Sequence, residues 1–101
     1  MRETITYTHP SAPGVEVLIT PLEGNCYNRE FRLDGETLYF SPAWQSSYPA
    51  SGPDYAARCV VATVELIAKP GGEHRHHKHL NAKLGDRINT LWLLQQAIRD
   101  A

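Results

Sequence analysis

Apolar and polar positions alternate in short runs along the first forty residues. Thr4-Ile5-Thr6-Tyr7-Thr8 puts an apolar side chain at every second position, the period of a half-buried strand, and Pro10 and Pro13 end it. Residues 15–20, Val-Glu-Val-Leu-Ile-Thr, are rich in β-branched side chains and stop at Pro21, which predicts a second strand able to return beside the first. The strongest local signal follows. Arg29-Glu30-Phe31-Arg32-Leu33 and Glu36-Thr37-Leu38-Tyr39-Phe40 flank Asp34-Gly35, a pair that readily takes the positive φ angles of a two-residue hairpin turn. That turn predicts Arg32 opposite Thr37 and Phe31 opposite Leu38, with Phe31, Leu33, Leu38 and Phe40 on one face.

The pattern changes over 41–54, where proline, serine, glycine and alanine surround Trp44 and Tyr48; this reads as a loop. Residues 55–68 carry mixed signals. Asp54 could cap a helix, whereas Val60, Val61, Thr63, Val64 and Ile67 favour extended chain, and the alternation of Val60, Ala62, Val64 and Leu66 predicts a further strand. Beyond Gly71-Gly72 the period becomes helical. At 100° per residue, Leu80, Leu84, Ile88, Leu91, Leu94 and Ile98 share one side, opposite Lys78, Ala82, Asp86, Asn89 and Gln96. A helix is therefore expected over at least 86–99; how the preceding histidines point depends on whether it passes Gly85. The expected fold is α+β over a single domain, 1–101. The N-terminal strands and the Asp34-Gly35 hairpin form a small antiparallel sheet, with the C-terminal amphipathic helix packed on one face.

Composition narrows the function classes. The chain has 101 residues, is 42% hydrophobic and 21% charged, and carries a formal net charge of −1. Such a chain folds as an ordinary small globule and has no global field to drive it onto nucleic acid or an anionic membrane. No apolar run approaches the roughly 20 residues of a membrane helix, so no membrane partner is expected. Two cysteines without a Cys-x-x-Cys spacing, after a polar start, lead us to expect a reducing, cytoplasmic setting.

Four of the five histidines crowd into Glu73-His74-Arg75-His76-His77-Lys78-His79. As metal ligands, His74/His77 and His76/His79 would converge on a helix and His74/His76 or His77/His79 on a strand, which makes His74, His76, His77 and His79 the candidate site for a divalent transition metal such as zinc. The spacing supplies two ligands without a diagnostic third, and no cofactor is the primary expectation. As a basic edge, Arg75, His76, His77, Lys78, His79, Lys83 and Arg87 could meet an acidic protein or a nucleic-acid backbone; over 69–87 five basic side chains face only Glu73 and Asp86. A solvated stretch without a ligand asks least of the rest of the chain.

Catalysis lacks a constellation. There is no Gly-x-Ser-x-Gly elbow and no phosphate-cradling glycine loop, Cys59 lies in an apolar run, and nothing marks Cys26 as activated. Trp44, Tyr48 and Tyr55 are the residue types that anchor interfaces, although Trp44 could equally fold back as a lid on the small core, and Trp92 at the edge of the helical stripe reads as core or as a dimer contact. These features point to a non-enzymatic binding protein, monomeric or homodimeric, acting through surface contacts with a protein or nucleoprotein complex. By class-level analogy it would be a small phage or mobile-element inhibitor of a nucleoprotein or defence complex, anti-CRISPR-like in kind. A metal-binding protein or small metal enzyme built on the histidines, and a nucleic-acid-binding accessory protein using the basic edge, are the alternatives.

Overall fold

The computed structural model describes residues 3–47, 52–69 and 77–100. Four strands run β1 (Ile5–Tyr7), β2 (Val15–Pro21), β3 (Cys26–Leu33) and β4 (Glu36–Gln45), paired antiparallel in the order β1-β2-β3-β4. Each strand thus pairs with its sequence neighbour, as the hairpin signals require. The Asp34-Gly35 loop has φ of 51° and 85°, so both central residues are left-handed, and Leu33 pairs with Glu36 and Arg32 with Thr37. The next pair departs from expectation. A register shift between Phe31 and Arg32 sets Phe31 opposite Tyr39 rather than Leu38, and Phe40 pairs with Glu30 on the outer face, 52% exposed. An extra residue in one strand reverses which side chains beyond it point inward.

β4 also runs further than its composition suggests. The expected loop begins instead as strand through Gln45, with Pro42 tolerated because β4 is an edge strand. A second correction concerns 55–68. The segment is helical, α1 (Gly52–Ala68), and not a fifth strand. Its buried residues are Ala56, Ala57, Val60, Val61, Val64 and Ala68, an i, i+3, i+4 spacing that covers one helix face, while Ala62 and Leu66 of the apparent alternation are exposed.

The C-terminal run comprises α2 (His77–Leu84), a 3-10 stretch (Gly85–Thr90) and α3 (Leu91–Asp100). Gly85, with φ of 54°, separates α2 from the rest. The run carries Leu80, Leu84, Leu91, Leu94 and Ile98 into one core with Val15, Val17, Ile19, Phe31 and Leu33 of the sheet and the buried face of α1. The helices occupy one face of the sheet; α1 lies on β2 and β3, and α3 packs on α1. No helix among the described residues is long and apolar enough to cross a membrane.

Candidate functional site

Strand β3 buries every second residue, which sends Tyr27, Arg29, Phe31 and Leu33 to the helical side. Arg29 is therefore a cation at a core position, 4% exposed. Opposite it, β4 is irregular. Arg29 pairs with Ser41 and Tyr27 with Trp44, leaving Pro42 and Ala43 to be accommodated across from Asn28. Ala43 takes a left-handed φ of 50°, and its N–H donates to Asn28 Oδ1 at 2.9 Å. This bulge turns Trp44 inward, so that Tyr39, Ser41 and Trp44 surround one guanidinium.

The Arg29 guanidinium lies 4.2 Å from the centre of the Trp44 ring, and its Nη2 donates to Ser41 Oγ at 3.0 Å. Among the described residues its Nε has no hydrogen-bond partner. Burial pushes the guanidinium below the usual arginine value, while Tyr39, which also accepts a hydrogen bond, and the Cys59 thiol favour its charge. Trp44 is half-buried and packs at 6.4 Å from Tyr27 and 6.2 Å from Tyr55, over whose ring Arg58 sits at 5.6 Å. Cations and rings thus stack from the sheet to the first turns of α1. Of the expected aromatic anchors, Trp44 and Tyr55 meet in this stack, and Tyr48 lies outside the described residues.

The basic edge is distributed differently. Lys83 Nζ donates to Glu36 Oε2 at 3.1 Å, and Arg87 Nη1 reaches Asp34 Oδ1 and Oδ2 at 3.2 and 3.1 Å and the Pro13 carbonyl at 3.5 Å. Both side chains are spent on the β3–β4 turn. Lys78 and His79 are exposed on α2, whereas His74, Arg75 and His76 lie outside the described residues and His77 is placed only by its backbone, as the first residue of α2. Among the described residues no three His, Cys, Asp or Glu side chains stand close enough to hold a metal ion.

The helical layer carries a feature that periodicity did not rank as a site. Trp92 on α3 is 52% exposed and Leu66 on α1 is 68% exposed. Trp92 is therefore not a core residue. An open depression of about 490 Å³ lined by Glu65, Lys69, Ile88, Asn89 and Trp92 lies between the helices. A sequence signal for Leu66 existed only if 55–68 was placed on a helical wheel, where it leaves the valine face. The chain matches no known protein family, no curated protein and no solved structure.

Proposed function

We propose that this chain is a non-enzymatic binding protein that contacts a protein partner through the exposed side of α1 and α3. The observation that carries this reading is the exposure of Trp92 and Leu66, two large apolar side chains on helices that pack together, with Trp92 lining an open depression. Tryptophan offers a large, stiff contact area at small entropic cost, and it is enriched among residues that dominate binding energy. Glu65 and Lys69 at the edge of the depression supply polar groups of both signs, suited to a rim that orients a partner. A small inhibitor docking on a nucleoprotein or defence complex is one form of this function.

The nucleic-acid reading is less favoured, because Lys83 and Arg87 would have to leave Glu36, Asp34 and Pro13 to meet a phosphate. Pull-down from a native-like lysate with wild type and a Trp92→Ala, Leu66→Ala double variant tests the proposal. Both side chains are largely solvated, so the variant should keep the wild-type circular dichroism and melting curve. A partner retained by wild type should bind the variant at least about tenfold more weakly, the scale of truncating an interface anchor. Identical partner sets for the two proteins would reject the helical face as the contact.

A further inference from the structure

We infer that Arg29 is a receptor for a single carboxylate group, admitted when the Trp44 ring swings aside. The inference is independent of the helical face. It begins with a cost: a guanidinium removed from water loses several kcal/mol of hydration, which a buried arginine ordinarily recovers from a carboxylate and a full set of hydrogen bonds. Arg29 has neither. The groups that favour its charge are a phenol, a thiol and the Trp44 ring, and its Nε donates to nothing.

The unpartnered donor defines the ligand. Nε and Nη2 form one edge of the planar guanidinium, the edge that matches the two oxygens of a carboxylate side-on. Ser41 Oγ accepts from Nη2 at 3.0 Å and leaves Nε without a partner among the described residues. A carboxylate would bond both nitrogens, with the Ser41 hydroxyl free to turn and donate to it instead. The register shift that accommodates Pro42 and Ala43 brings Trp44 to the face that Tyr39 and Ser41 already share by alternation. Bulges of this kind re-aim side chains and recur beside functional sites. The cover over Arg29 includes a half-buried ring that itself reaches solvent.

Two sources share this chemistry, a free small carboxylate and an acidic side chain of a polypeptide, and the experiment separates them. In a Trp92→Phe background Trp44 is the sole tryptophan, so its emission reports the ring over Arg29. Sodium acetate and N-acetylglutamate amide are titrated at constant ionic strength against sodium chloride, in this background and in the same background with Arg29→Met. The expected result is a saturable change in Trp44 emission with millimolar carboxylate that chloride does not reproduce, weakened at least tenfold by Arg29→Met. Response to both compounds points to a free carboxylate, and response to the blocked glutamate alone points to a polypeptide side chain. Melting curves give a second readout. Without carboxylate, Arg29→Met should melt several degrees higher, because a flexible apolar side chain of similar length replaces an uncompensated charge; with carboxylate the gap should narrow. No saturable change, an equal change in Arg29→Met, or a lower melting temperature for Arg29→Met in plain buffer would each overturn the inference.

Discussion

Gly14 shows how much one hydrogen atom in place of a methyl can matter. Its φ is 80°, its carbonyl accepts the Asp34 N–H at 2.8 Å, and a Cβ built there would run into the Asp34 carboxylate. That carboxylate cannot move without releasing Arg87, so Gly14→Ala combines backbone strain with the loss of an ion pair. Urea unfolding should show a loss of about 1–3 kcal/mol, whereas Gly35→Ala, with open space at the new methyl, should pay for the left-handed φ alone. Glu30 gives a pH-dependent counterpart. A hydrogen bond from Thr37, and then one from Arg32, hold its carboxyl below the usual range. Because the folded value is the lower one, this stabilisation is present above the ordinary glutamate value of about 4 and fades as pH falls below it. Glu30→Gln should therefore flatten the acid limb of a stability curve measured between neutral pH and pH 3, with little change in slope near neutrality. Arg29 marks the limit of what single residues disclose. The face read from alternation named Phe31 and Leu33 but not Arg29, although the same period-2 step back from Phe31 reaches it. Its cover was not legible, because Trp44 reaches it only through the bulge at Ala43, an alanine in a conformation that alternation cannot reveal.

Elements were legible where one period dominated. The Asp34-Gly35 hairpin and the leucines of α2 and α3 each have one, and their outlines follow from it. In α1 two periods coincide. Val60 and Val64 fit both a strand face and a helix face, and β-branched propensity, a weak prior, favoured the strand until Ala56, Ala57, Val61 and Ala68 are counted. Small alanines on the buried side let a helix sit close to β2 and β3, a packing advantage that local preference does not register. The two contacts from the C-terminal run to the hairpin, Lys83 with Glu36 and Arg87 with Asp34, join elements far apart in sequence but remain partly solvated, with side chains 31–61% exposed. A double-mutant cycle on Arg87→Ala and Asp34→Ala should return about 0.2–1 kcal/mol of coupling, reduced further in high salt. Coupling above that range would mean the pair is better shielded from water than its exposure implies.

At the scale of the whole molecule, the sheet and the helical layer meet at both the core and the periphery. Tyr7 near the end of β1 donates to Asp54 in the first turn of α1 at 2.6 Å, and burial, followed by this bond and the Asp54 charge, pushes its phenol above the usual tyrosine value. The folded value is raised, so the contribution is intact below about pH 10 and is lost as pH climbs past it. Tyr7→Phe should show a shallower alkaline fall in melting temperature than wild type. The candidate contact face belongs to this scale too. A helical stripe names its core residues, but the exposure of Trp92 and Leu66 depends on how α3 lies against α1, which emerges only when the layers are assembled. The order of the elements has its own consequence. Among the described residues the strands precede the helices in the chain, and each strand pairs with the one before it. A nascent chain emerging from the ribosome can close its hairpins early, yet Val17, Ile19, Phe31 and Leu33 remain bare until the C-terminal half is synthesised. Every molecule thus passes through an interval with an unshielded apolar sheet, a vulnerability that chaperones would meet before any partner does.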